Sequence, residues 1–148
     1  MSELPIQETF DSLAESYSML CEDDMWAGLL QRRARFPETH TAIAYEQQGL
    51  YEQAQKAYES AMAKAREQYN NGKSDPRMLS EYRLWEDHWV KAAKELGQWD
   101  ILMEFGKSKG QQNPYIVLES AWRIPDWPAM KEALTQVIYG LFIFLFVC

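Results

Sequence analysis

Apolar positions recur at spacings of three and four along almost the whole chain, and no stretch before residue 137 alternates as a β-strand does. The clearest case is 51–69. Tyr51, Ala54, Tyr58, Ala61, Met62, Ala65 and Tyr69 fall on one helical face, while Glu52, Gln53, Lys56, Glu59 and Arg66 fall on the other. Upstream, Pro37 opens a helix with Glu38 in its first turn, where the helix dipole favours an acid. Gly49 ends that helix as a left-handed C-cap, and the connection is too short for anything but an antiparallel hairpin. The other prolines, Pro5, Pro76, Pro114, Pro125 and Pro128, also stand near segment starts.

The hairpin recurs. Over 77–96, Tyr82, Trp85, Trp89, Ala92, Ala93 and Leu96 share a face; Gly97 then breaks the helix, and Trp99, Leu102, Met103 and Phe105 begin the next. Gly49-Leu50-Tyr51 and Gly97-Gln98-Trp99 are therefore equivalent corners. A further pair joins Asn113–Trp122 to Asp126–Val137 through Pro125-Asp126-Trp127. A leading pair joins Glu8–Cys21 to Asp24–Phe36 through Asp24-Met25-Trp26. Four hairpins over 1–137 average about 34 residues each, the tetratricopeptide length. Ala42, Tyr45, Gly49, Tyr51, Ala54, Tyr58 and Ala61 follow that repeat's spacing. Ala42 and Ala54 let helices approach, and the tyrosines fill the gaps between neighbouring pairs. Such a pair cannot bury its apolar face alone, so stacking makes the core. The expected fold is all-α, a tetratricopeptide-like α-solenoid of about eight helices in antiparallel hairpins. Trp85, Trp89, Trp99, Trp122 and Trp127 fall at helical or corner positions and are expected to pack inside it.

At 148 residues, 47% hydrophobic and 25% charged, the chain has the composition of a folded domain rather than a disordered one. Twenty-two acidic against 15 basic residues give a net charge of −7, which argues against a nucleic-acid surface. Two cysteines, Cys21 and Cys148, form neither a disulfide framework nor a metal spacing, so a reducing compartment is expected. The sequence MSELPIQETF has no basic start and no apolar core, and is not expected to act as a signal peptide.

Little in the chain suggests catalysis. His88 follows Glu86 and Asp87, but consecutive helical residues diverge, so the three do not form a metal site and His88 reads as a packing or surface residue. His40 sits in a first helical turn and reads as exposed. Glu22, Asp23 and Asp24 disfavour a thiolate at Cys21. No phosphate-binding loop, nucleophile elbow or zinc-binding histidine pair is present. Arg32, Arg33 and Arg35, and Lys107 with Lys109, read as solvated helix faces. A carboxylate clamp would need Lys and Asn on the inner helices, where Thr39, His40, Thr41 and Ile43 stand instead.

Several strings resemble the FAT domain, the helical region that precedes the kinase region in phosphatidylinositol 3-kinase-related proteins. They are Met25-Trp26-Ala27-Gly28-Leu29, Phe36-Pro37-Glu38-Thr39 and Ala42-Ile43-Ala44-Tyr45-Glu46-Gln47. Tyr82-Arg83-Leu84-Trp85-Glu86-Asp87-His88-Trp89 and Asn113-Pro114-Tyr115-Ile116-Val117-Leu118-Glu119 extend the likeness over roughly Ser12–Val137. The Trp-Glu-Asp-His-Trp and Asn-Pro-Tyr strings are similar to the branch of large pseudokinase scaffolds.

The resemblance implies a non-catalytic scaffold segment, a piece of a much longer nuclear protein. Its implied partners are subunits of a histone acetyltransferase complex of the SAGA or NuA4 type and transcriptional activators. No cofactor, direct nucleic-acid contact, membrane or small-molecule substrate is implied. The alternative expectation is a stand-alone tetratricopeptide adaptor that binds peptides. On this reading 1–137 is a partial FAT domain. The uncharged run 138–148, within VIYGLFIFLFVC, falls outside the family pattern and is too short to span a bilayer, which takes about 20 apolar residues.

Overall fold

The computed structural model describes the chain apart from residues 1–8, 10, 11, 14, 15, 18, 21, 22, 35, 73–75, 109–112 and 148. Every described element is α-helical, so the expected all-α class is the observed one. The fold divides into two compact units, Met1–Ala92 and Ala93–Cys148, with the division in the last turn of a long helix.

The first unit holds α1 (Asp23–Arg33), α2 (Pro37–Gln47), α3 (Tyr51–Asn70) and most of α4 (Pro76–Glu95). Ahead of α1, the described residues between 9 and 20 include helical turns, with Leu20 N–H donating to the Ser16 carbonyl at 3.1 Å. Asp24, Met25 and Trp26 lie in the first turn of α1. They therefore do not themselves form the expected corner, and Cys21 and Glu22, just ahead of α1, lie outside the described residues. Phe36, in extended backbone, offers its carbonyl to the N–H groups of Thr39 and His40, and Pro37 supplies the first helical residue.

The corner between α2 and α3 shows why glycine is needed. Gly49 N–H donates to the Glu46 carbonyl at 3.0 Å and Leu50 N–H to the Tyr45 carbonyl at 2.9 Å, the Schellman pattern, with Gly49 at φ +70°. Side-chain pairs then fix the direction of α3. Tyr58 meets Glu46, 12 residues away, and Lys64 meets Glu38, 26 away, so the partners separate as the chain leaves the corner and the helices are antiparallel.

Against this hairpin α4 runs parallel to α2. Thr39 bonds Glu81 and Glu46 bonds His88 at the same separation of 42 residues. Buried Trp85, Tyr58, Ile43 and Ala42 fill the space between the three helices, while Ala27 and Leu30 of α1 cluster with Trp26 and Ile43. Phe36 meets Trp85 edge-on, with ring centroids 5.6 Å apart.

The second unit contains α5 (Trp99–Lys107), α6 (Pro114–Arg123) and α7 (Trp127–Val147). Its entry repeats the first corner. Gly97 takes φ +67°, Gln98 N–H donates to the Ala93 carbonyl at 3.0 Å, and Gln98 adopts the same backbone angles as Leu50 to within a few degrees. Asn113 caps α6 by accepting from the N–H groups of Tyr115 and Ile116, with Pro114 following as the first helical residue. The third corner is built differently from its expected glycine equivalents. Asp126 Oδ1 accepts from Ala129 N–H at 3.1 Å, and no residue there needs a positive φ. Met103, Val117, Ala121, Ala129 and Ala133 form the core. At its tightest point, a Cβ on Gly106 would lie 2.8 Å from Val117 Cγ2, so α5 and α6 meet closely because Gly106 has none.

Four expectations need correction. Trp122 and Trp127 were expected inside, yet they are 71% and 68% exposed because they flank the corner between α6 and α7, outside the layer filled by Ala121 and Ala129. Tyr69, expected on the apolar face of its helix, is 68% exposed, beyond Ala65, the last buried residue of α3. Asp126–Val137 is the expected extent of the last helix, but α7 runs to Val147. Residues 138–147 continue α7, since Leu, Phe and Ile propagate a helix whether or not charge accompanies them. The two glycine corners are also further apart than the expected repeat length of about 34, because α3 and α4 have 20 residues each.

Candidate functional site

The most organised polar constellation surrounds Glu46, in the first unit. Periodicity places Glu46 on the inner face of α2, three residues after Ile43 and four after Ala42. Its side chain is 3% exposed, and three donors from two other helices reach it. Tyr58 Oη on α3 donates to Oε2 at 3.0 Å. His88 Nδ1 on α4 also lies 2.8 Å from Oε2, and Lys91 Nζ, one turn on, lies 2.9 Å from Oε1. Burial pushes the Glu46 carboxyl up, but the hydrogen bonds and charges of His88 and Lys91 outweigh it and hold the group below the usual carboxylate range. Burial, then the charge and hydrogen bond of Glu46, push the Tyr58 phenol far above its ordinary range. The carboxylate is therefore ionised and the phenol protonated at neutral pH.

Trp26 of α1 closes the cluster. Its ring lies 4.9 Å from the His88 ring, and Lys91 Nζ lies 4.5 Å from its centroid, a cation–π contact. Beside them a cleft of about 300 Å³ is lined by Trp26, Glu46, Gln47, Gln48, Gly49, Tyr51 and Lys91. Glutamate, histidine and tyrosine are residue types used in acid–base chemistry, but here the phenol, the imidazole Nδ1 and the ammonium all converge on one carboxylate. The arrangement ties α2, α3 and α4 together and orients α1 through Trp26.

A second polar chain lies deeper. Trp85 Nε1–H donates to Thr39 Oγ1 at 2.7 Å, and Thr39 Oγ1–H donates to Glu81 Oε2 at 2.8 Å. Trp89 Nε1–H donates to Glu59 Oε1 at 2.9 Å, joining α4 to α3. Among the described residues no group of three His, Cys, Asp or Glu side chains could hold a metal ion.

The proposed repeat positions divide by environment. Ala42, Ala54, Tyr58, Ala61, Trp85 and Trp89 are buried, and Tyr45, Tyr51 and Trp99 are half-buried. Gly49 and Gly97 occupy left-handed corners. Trp122 and Trp127 face solvent. His40 is exposed as expected, and Lys107 lies 3.7 Å from Asp126; Lys109 and Cys148 lie outside the described residues. Glu46 and Lys91 were not singled out from the sequence. The signal for Glu46 was its place on an inward-facing stripe; Lys91 gave none, because its partners come from other helices.

No family model matches the chain. Among curated proteins it is 60% identical, over 133 residues and 90% of its length, to the transformation/transcription domain-associated protein of Mus musculus. It is 59% identical over the same length to the protein of that name in Homo sapiens. It is 41% identical over 133 residues to the SAGA complex/NuA4 acetyltransferase complex subunit TRA1 of Saccharomyces cerevisiae. The chain spans only 5% of the mouse protein's length and 3% of the human and yeast proteins'.

Proposed function

We propose, for a chain homologous to one short segment of the transformation/transcription domain-associated proteins and their Tra1 counterparts, that it is a non-catalytic helical scaffold segment of a transcription co-activator. On this reading 1–137 is part of a FAT domain. The partners are protein subunits of a histone acetyltransferase assembly of the SAGA/NuA4 kind, together with transcriptional activators, and the site of action is the nucleus. The observation that carries the proposal is 60% identity across 90% of the chain. The structure supports it through the cross-helix bonds of Glu46, Thr39 and Trp89, which hold helices in register rather than present reactive groups. Affinity purification of the tagged chain from nuclei tests the proposal. Acetyltransferase-complex subunits are the expected co-purifying proteins, and recovery of chaperones alone would overturn it. A second reading, a stand-alone adaptor for peptides, draws on exposed Trp122 and Trp127. Under that reading peptide titration would quench their fluorescence, whereas the scaffold reading expects no change.

A further inference from the structure

Asparagine stands at positions 70, 71 and 113, and each has a different neighbour on its carboxyl side. Asn113 precedes Pro114, whose nitrogen carries no proton, and its side chain accepts from the N–H groups of Tyr115 and Ile116. Asn70 is the last residue of α3 and precedes another asparagine. Asn71 precedes Gly72, which has no side chain to shield its backbone nitrogen. Both Asn71 and Gly72 are exposed, and among the described residues nothing partners the Asn71 side-chain amide.

This dipeptide carries a reaction within the chain, the one that makes asparagine thermolabile. The Gly72 nitrogen loses its proton and attacks Asn71 Cγ. The Cγ–Nδ2 bond breaks, ammonia leaves with that proton, and a five-membered succinimide remains. Water then opens the ring. Addition at Cγ gives aspartate; addition at the backbone carbonyl gives isoaspartate, in which the main chain runs through the side-chain carbons. No oxidant, metal or second protein is required.

The fold controls when the ring can close. Closure needs the Gly72 nitrogen eclipsed with Asn71 Cβ. In the folded chain Asn71 ψ is 11°, so that nitrogen nearly eclipses Asn71's own nitrogen instead. Gly72 N–H also donates to the Tyr69 carbonyl at 3.0 Å. Reaching the reactive geometry breaks this bond and turns the peptide about the Asn71 Cα–C bond. None of residues 66–72 is buried, so only the end of α3 has to open and the core beneath Ala65 stays closed.

We propose that Asn71 is a site of spontaneous deamidation, gated by the last turn of α3. Either product puts a carboxylate at the carboxyl end of a helix, where the dipole disfavours it, and adds one negative charge to a chain already at −7. Isoaspartate also lengthens the backbone between Tyr69 and Gly72, so their hydrogen-bonded turn cannot re-form unchanged. Incubating the full chain at mildly alkaline pH, with and without guanidinium chloride, tests this. Trypsin cuts after Arg66 and Lys73 and releases residues 67–73, which hold Asn70 and Asn71. Mass spectrometry after a short digest at mildly acidic pH should show amide-to-acid conversion at Asn71, with isoaspartate exceeding aspartate, and none at Asn70 or Asn113. Conversion should be several-fold faster in the unfolded chain and should speed up with pH in both. Asn71→Gln, which would have to close a larger ring, should leave the peptide unconverted. Three results would each overturn the proposal: an intact peptide in the folded chain after the unfolded chain has reacted fully, equal rates in the two, or conversion at Asn70 in place of Asn71.

Discussion

Removing the Tyr58 hydroxyl takes away one of the three donors that meet Glu46 and leaves the ring in place. Tyr58→Phe should cost about 1.5–3 kcal/mol in urea unfolding, the value of a hydrogen bond to a charged group. Lys91→Met should cost less, about 1 kcal/mol, because the Lys91 side chain is 43% exposed and solvent already weakens its attraction to Glu46. The pH dependence follows from the Glu46 carboxyl, which His88, Lys91 and Tyr58 surround. Folding holds it below its ordinary value of 4.5, so its contribution is fully present above that pH and is lost as pH falls through the lowered value. The stability gap between wild type and Glu46→Gln should thus shrink as pH falls below 4.5 in urea titrations. A gap that widened on acidification would contradict this sign. Trp122 and Trp127 should behave oppositely to buried Trp85. Replacing either by Ala should change stability by no more than about 0.5 kcal/mol and remove the red-shifted part of the fluorescence emission. Trp85→Ala should cost about 3–5 kcal/mol.

Helix contacts depend on two glycine properties, and each has its own test. At Gly97 the backbone requires φ +67°, so Gly97→Ala should cost about 1–2 kcal/mol through strain. At Gly106 the backbone is ordinary but space is missing, so Gly106→Ala should destabilise through its clash with Val117. Adding Val117→Ala should relieve part of the second cost and none of the first, which a double-mutant cycle by thermal unfolding resolves. The glycine corners were legible in the sequence because few other residues tolerate that conformation and because a large aromatic follows two positions later. The Asp126 corner was less so, since a capping aspartate and a left-handed glycine can end helices at the same place by different bonds. The Glu46 cluster was nearly hidden. Its partner His88 lies 42 residues away on a helix whose register against α2 depends on packing rather than local pattern. The length of α7 was misread for a related reason. Loss of charge at residue 138 signals a change of environment, but helix propagation needs only backbone bonds and tolerable side chains.

At the scale of the whole molecule, an acidic chain carries an uncharged apolar stretch in the second half of α7, and the two act against each other in solution. The net charge of −7 keeps copies apart at neutral pH, while the exposed stretch Ile138–Ile143 draws them together. Lowering the pH towards the isoelectric point near 4.9 protonates carboxylates and removes the repulsion, leaving the apolar contact unchanged. Salt does the same by screening, with a Debye length falling from about 10 Å at 0.1 M to about 3 Å at 1 M. Light scattering should therefore show tighter association as pH falls from 7.5 to 5.5, and likewise as salt rises at fixed pH. Between pH 5.5 and 7.5 Glu46 remains ionised, because its carboxyl titrates below 4.5, so the change cannot come from loss of that cluster. Ile138→Glu should flatten both dependences, since repulsion alone gives copies nothing to associate through. If association weakened with added salt, charged surfaces rather than the apolar helix would be holding the copies together.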